Sequence, residues 1–491
     1  MSALHSRSSK RLPSLNNVTA PSAKRVTHAN LILAICCMSV LIVGMDVTIV
    51  NVALPAIQED LHARLAGLQW ILDAYTLVVA SFLMLAGSTS DRFGRRRVFQ
   101  IGLGVFTVGS LLCSRSATIE QLIGFRALQG FGASMLNPVA LSIIANAFPE
   151  PAKRARAVGI WGAVAGVSLG LGPVIGGTLT GMIGWRSIFW INVPIGIATV
   201  LLAARFVPES KAARARAFDP IGQALVVIGL ATLTWGVIEG PHEGWGSGMI
   251  LGLFATAAAA LLMFLLYEPR RSDPLVDLRF FHSVPFTSAT LLGVSAFSCF
   301  AAFLFLNALY LQQVRGFSAF RSGLFTLPLA IMMVVLSPLS GRLVGRYGSR
   351  PSLLASGGGF VASTLILTGL GQHTSACWLL LAYALFGVGL GMVNPAISNS
   401  AVAGMPLSQA GVAAAIASTS RQVGAAIGVA VAGTIVAMSR ARGTDFTTAT
   451  HAIWWMMTAC GASVLAMGVA SDTAWALAST HRVAHLFQES R

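Results

Sequence analysis

Very few ionisable side chains interrupt the long apolar segments of this chain, and those few define the chemistry open to it. Asp46 and Asp73 are carboxylates within apolar runs, Arg126 and Arg421 are guanidiniums in the same setting, and Glu239 stands at the end of a further run. A charge at the centre of a membrane helix is disfavoured by roughly 2.5–3.5 kcal/mol on insertion scales, so each such residue needs a use. With a rise of about 1.5 Å per residue, Asp46, Asp73 and Arg126 are expected at one depth, roughly 9–13 Å below the outer surface. A guanidinium favours the charged form of a neighbouring carboxyl and desolvation opposes it, so small rearrangements decide whether a proton is held. Asp46, Asp73 and Arg126 are therefore assigned to proton coupling, with either acid as the carrier. The competing reading is a static buried ion pair. The same two acids, with Trp70 and Tyr75 nearby, would suit flat lipophilic cations through burial and cation–π contact.

Other patterns have mechanical readings. The stretch from Gly87 to Arg97 combines a tight turn at Gly94 with Asp91 and the arginines Arg92, Arg95, Arg96 and Arg97. Arginines alone would set topology, so Asp91 is expected to lock a cytoplasmic gate. It would pair with Arg92 or Arg95, or meet a helix N-terminus from the other half of the chain. Gly166, Gly170, Gly172, Pro173, Gly176 and Gly177 form a small-residue face that allows close backbone approach. Pro173 would loosen the helix there, and the segment reads as a packing hinge between halves. Gln129, Arg421 and Gln422 are further polar residues expected to be buried.

These residues must be held by a membrane scaffold. The chain has 491 residues, 55% apolar and 10% charged, with mean hydropathy +0.74, whereas a soluble domain carries roughly 25% charge. Spans of about 20 apolar residues are predicted at 29–50, 67–87, 98–114, 119–145, 157–182, 187–206, 221–239, 249–267, 285–310, 322–341, 352–371, 378–403, 410–437 and 451–470. The net charge of +16 does not indicate nucleic acid, because the basic residues lie in short clusters between apolar segments. Most of them fall on the side that carries both termini, which predicts N-in, C-in. The first apolar run is counted as a span rather than a signal peptide, since no small-residue cleavage site follows it. The six cysteines lie in apolar segments without metal-ligand spacing, and read as small hydrophobes. No lysine follows a glycine, so a phosphate-binding P-loop is excluded. Neither a cofactor nor an enzymatic activity is expected.

The chain also repeats itself. Ala127-Leu128-Gln129-Gly130-Phe131-Gly132 with Asn137-Pro138 recurs as Ala384-Leu385-Phe386-Gly387-Val388-Gly389 with Asn394-Pro395. Arg92-Phe93-Gly94 recurs as Arg346-Tyr347-Gly348 at nearly the same offset. The expected plan is an all-α integral membrane protein of two parallel six-helix bundles, 29–206 and 285–470. A linker with two extra spans (207–284) would join them, and tails 1–28 and 471–491 would lie in the cytoplasm. Parallel halves of this kind place a substrate site at their interface near the midplane.

Taken with their spacing, these motifs resemble the major facilitator superfamily from about residue 29 to 470. Gly87-x-x-x-Asp91-Arg92-x-Gly94-Arg95-Arg96 is similar to its loop 2-3 signature, with Thr89 and Ser90 in place of the usual Leu and Ala. Arg126-Ala-Leu-Gln129-Gly130 resembles the helix 4 motif associated with proton transfer. The segment from Gly166 to Gly177 resembles the helix 5 antiporter motif of exporters, and Arg421-Gln422-Val-Gly424 a motif on helix 13. Asp46 to Pro55, with Trp70 to Tyr75, is similar to the fourteen-helix drug:proton antiporters of the QacA/EmrB type. That resemblance implies a major facilitator fold and proton-coupled export of drugs or toxic lipophilic, often cationic, compounds across the bacterial cytoplasmic membrane. Residues 322–341 contain no acid, which departs from members that handle dications. The alternatives are a narrow-specificity metabolite exporter or a nutrient importer; a sensor built on a transporter scaffold would need a signalling domain larger than the tails. The expected partners are small molecules, protons and the bilayer, with the chain acting as a monomer and any periplasmic or outer-membrane adaptor left open.

Overall fold

A computed structural model describes residues 28–211, 219–271, 274–403, 405, 410–443 and 445–470, with 473, 476, 478 and 479. The helices are α1 (Ala29–Asp60), α2 (Leu65–Phe93), α3 (Arg95–Arg115), α4 (Ile119–Ala147), α5 (Pro151–Met182), α6 (Ser187–Trp190), α7 (Asn192–Phe206), α8 (Pro220–Glu243) and α9 (Gly248–Tyr267). After a linker come α10 (Val284–Leu309), α11 (Ala319–Phe325), α12 (Leu327–Tyr347), α13 (Arg350–Thr368), α14 (Ala376–Val402), α15 (Ala410–Ala441) and α16 (Phe446–Ala470). Among the described residues, fourteen helices are long and apolar enough to cross a membrane, with α6–α7 and α11–α12 each forming one span.

Local chemistry explains several helix boundaries. Thr118, Asp219, Ser247, Ser283, Ser318 and Ser375 each accept a hydrogen bond from a backbone N–H in the first turn of the helix that follows, satisfying a donor that has no intrahelical partner. Gly94 and Gly348 have φ of +114° and +78°, a backbone that favours glycine, and they stand at equivalent places in the sequence repeat. One expectation is corrected. The first span was read as ending near Val50, but α1 runs to Asp60 with Pro55 inside it.

The packing repeats with the sequence. α1 lies on α5 as α10 lies on α15; α2 and α3 flank α4 as α12 and α13 flank α14; α3 meets α7 as α13 meets α16. Between the halves the contacts exchange, α5 against α11 and α12, and α15 against α2. The extra helix α8 follows this second seam, touching both α2 and α15. Gln223 donates to the Ser81 carbonyl (2.5 Å) and Thr434 donates to the Val237 carbonyl (2.7 Å). α9 packs on α8 and presents Leu251, Leu261, Leu262, Leu265 and Leu266 outward, as a lipid-facing helix should.

The halves close on one another at the end where α1 and α10 finish. Gln312 donates to the Val52 carbonyl and Gln313 to Gln58, both at 2.8 Å, from a single π-helical turn (Tyr310–Val314) that extends α10. Gln69 of α2 donates to the Ala430 carbonyl of α15 at 2.9 Å. Along α5 this contact stops past Gly170. A Cβ there would lie 2.7 Å from that of Ala330, whereas at Gly166, Gly162 and Gly159 it would meet nothing within 4 Å. A cleft therefore opens toward the end where α1 begins.

Helices approach most closely where no side chain intervenes. A Cβ on Gly132 of α4 would press into the backbone of Gly102 and Phe106 on α3. Overpacking a helix contact typically costs about 1–3 kcal/mol, so Gly132→Leu should lower the thermal unfolding midpoint of the detergent-purified protein. An unchanged midpoint would contradict this packing.

Candidate functional site

Asp46 lies on α1 with 0% exposure. Arg126 and Gln129, one turn apart on α4, both reach it. Arg126 Nη1 is 2.6 Å from Asp46 Oδ2, Gln129 Nε2 donates to Oδ1 at 2.8 Å, and Asn192 at the start of α7 donates to Oδ1 at 3.1 Å. The guanidinium also donates to Gln129 Oε1 (2.8 Å) and to the Ile71 carbonyl (3.1 Å), and lies 4.2 Å from the centroid of the Tyr75 ring. Asn192 in turn donates to Ser110, whose hydroxyl donates to the Phe189 carbonyl. This network ties together six elements of the first half, α1, α2, α3, α4, α6 and α7. Sequence reasoning found Asp46, Arg126, Gln129 and Tyr75 but missed Asn192 and Ser110, although an amide amid apolar residues is the same signal that marked Gln129.

Asp73 is placed elsewhere, which corrects the expectation of one three-charge cluster. A helix turns about 100° per residue, so Asp73 stands about 200° from both Ile71 and Tyr75, the two α2 residues that Arg126 touches. It shares its face instead with Gln69, one turn away, which bonds to α15. Asp73 has 0% exposure and neither of its carboxylate oxygens has a hydrogen-bond partner. Trp70, expected near substrate, is engaged by α8: it donates to Glu239 at 3.1 Å and meets Trp235 edge-on. Tyr75 is held under Arg126 rather than free to line a cavity.

At the open end, Asp91 pairs with Arg95 of its own loop (2.9 Å) rather than with a helix of the other half. Arg92 lies over the Phe93 ring, and the position of a Cβ on Gly87 meets nothing within 4 Å. The residue that organises this loop is Glu209, which the sequence did not single out. Its carboxylate accepts from the backbone N–H of Arg96 at 3.1 Å and lies near the guanidiniums of Arg96 and Arg97. An acid at the first turn of α3 satisfies both the free amides and the helix dipole. Glu209 also sits where a side chain on Gly94 would start.

The α5 glycines divide between two partners. Gly172 and Gly176 lie against Thr48 and Ile49 of α1, while Gly170 and Gly177 lie against Ala330 and Ala319 of the second half. Gly323 fits against the Pro173 carbonyl, and α5 continues through Pro173 unbroken. Gly166 borders open space. In the second half, Arg421 lies over the Phe297 ring at 5.9 Å, its Nη1 buried without a partner, and Gln422 beside it is half-buried.

Removing one member of a buried pair leaves the other charge uncompensated, at a cost of about 3–5 kcal/mol. Asp46→Ala should therefore destabilise the purified protein severely, and adding Arg126→Met should recover part of the loss. Equal unfolding midpoints for Asp46→Ala and the wild type would remove the network from its structural role.

Residues 36–429 match the family described as Major Facilitator Superfamily. The multidrug resistance protein Stp of Mycobacterium tuberculosis is 37% identical over 82% of this chain and 74% of its own length. The tetracenomycin C resistance and export protein of Streptomyces glaucescens is also 37% identical, over the same shares. Among solved structures, the nucleoside transporter NupG superposes with a TM-score of 0.62 at 12% identity, covering 91% of this chain and 100% of that one. The human organic anion transporter MFSD10 gives 0.60 at 16%, with the same coverage. The chain is a multi-pass protein of the bacterial inner membrane and belongs to the Major Facilitator Superfamily of transporters.

Proposed function

We propose that this protein exports lipophilic drug-like compounds from the cytoplasm in exchange for protons, by alternating access between its two halves. The names of its relatives, multidrug resistance and antibiotic export proteins, support export. The clustering of basic residues supports a cytoplasmic N-terminus, which makes the open cleft inward-facing.

The observation that carries proton coupling is Asp73. It is sealed without a partner beside the α2–α15 seam, and that seam must part at its outer end for the cleft to open outward. A charged carboxylate buried alone is prohibitively costly. Asp73 is thus protonated while the seam is closed, and gains water when the seam parts. Of the charged groups on the elements packed against α2, Arg421 of α15 lies over Phe297 of α10 without an acidic partner, and others are paired. Arg126 and Asp46 pair on the opposite face, Glu239 binds Trp70, and His242 bonds to Arg64. A proton taken up from outside permits the outer closure, and its release to the cytoplasm requires the packing around Asp73 to loosen so that water or cargo reaches the carboxylate as the drug loads. The Asp46–Arg126 network, with each charge fully matched, holds the first bundle rigid during the exchange.

In proteoliposomes, Asp73→Asn should still bind substrate but lose acceleration of transport by an imposed pH gradient, while wild-type transport rises with the gradient. Gradient-driven transport that survives in Asp73→Asn would remove Asp73 from coupling.

A second reading, export of one toxic metabolite, is favoured by relatives named for single antibiotics, tetracenomycin C and methylenomycin A. Efflux of several unrelated dyes from cells lacking their own pumps would exclude it, and export of none of them would favour it.

A further inference from the structure

The charges around the cleft do not add up to a site for cations, the substrate class expected from the residues alone. Asp46 is matched by Arg126 at 2.6 Å, and Asp73 is closed off at 0% exposure. What remains is Arg421.

Arg421 lies within the membrane-spanning stretch Val412–Ser439 and makes no ion pair or hydrogen bond among the described residues. The residue is partly accessible and its Nη1 is enclosed. A guanidinium left unpaired at such depth is expected to face the bundle interior rather than lipid. The helix against α10 is fixed: a Cβ on Gly424 would meet Val294 Cα at 2.7 Å, and Phe297 supports the guanidinium from the same helix. The second bundle offers no carboxylate to neutralise it. Residues 285–470 contain one acid, Asp445, which stands at the far end of α15 and is held by Thr447. The open end of the cleft adds exposed Arg154 and Arg156 on α5 and Arg342 and Arg346 on α12, which raise the local concentration of anions.

We propose that Arg421 is an anion-recognition site for the transported molecule, receiving a carboxylate or phenolate at the wall of the cleft. The substrates it selects are lipophilic acids or zwitterions rather than simple cations. A guanidinium suits this role because its planar fork meets a carboxylate through two charge-assisted hydrogen bonds. Phe297 beside it offers apolar surface to the body of the same molecule. The inference rests on the reading of the chain as an exporter and names its substrate class.

A rhodamine methyl ester and the corresponding free carboxylic acid share one aromatic cation and differ only in the anionic group. Binding of each to the purified protein, followed by fluorescence polarisation, should favour the free acid in the wild type. The acid-to-ester affinity ratio should fall about ten-fold in Arg421→Gln and return to within about threefold of wild type in Arg421→Lys. A wild-type protein that does not favour the free acid overturns the proposal, as does a ratio left unchanged by Arg421→Gln. Proton-driven efflux of either dye by the wild type tests the exporter reading separately, because its failure leaves the binding ratio measurable.

Discussion

The cost of an unmatched charge in a low-dielectric interior governs the arrangement of this protein. Asp46 and Arg126 are brought into contact at hydrogen-bond distance and surrounded by donors from Gln129 and Asn192. Asp73 in the first half and Arg421 in the second are left without an opposite charge. The matched pair lies within the first bundle, and the two unmatched groups lie one in each half. A buried pair is weak evidence for stability, because desolvation offsets much of its Coulombic gain.

A second constraint is the distance between backbones. Each seam between the halves closes at positions without side chains, Gly170, Gly177 and Gly323 on one side and Gly433 on the other. In a membrane, helix association depends on close packing rather than on apolar burial, so glycine placement decides where the halves can touch. The same α5 surface serves two partners. Gly172 and Gly176 fasten it to α1, and their neighbours fasten it to the second half.

Much of this was legible in the chain. The fourteen spans follow from apolar length, and the repeat gave the expectation of two parallel six-helix halves, whose helices pack alike and whose Gly94 and Gly348 both have positive φ. Asp46 and Arg126 stood out because charge in an apolar run is rare. Depth along the helices places Asp73 level with them, but the 100° turn per residue sets it on another face of α2. Glu209 was not readable, since an acid in a short loop looks like any solvated charge until the fold brings it to the first turn of α3. The course of α8 was equally hidden, because its apolar run carries no local mark of which seam it follows.

That course of α8 makes the two seams unequal. A lipophilic molecule arrives dissolved in a leaflet as readily as in water, and a fissure between helices is its sideways door. The seam between α2 and α15 is covered by α8, with α9 outside it, whereas among the described residues no comparable helix packs across the seam between α5 and α12. Were cargo to enter from the bilayer, this arrangement would leave it a single flank, a handed approach in an outwardly two-fold molecule.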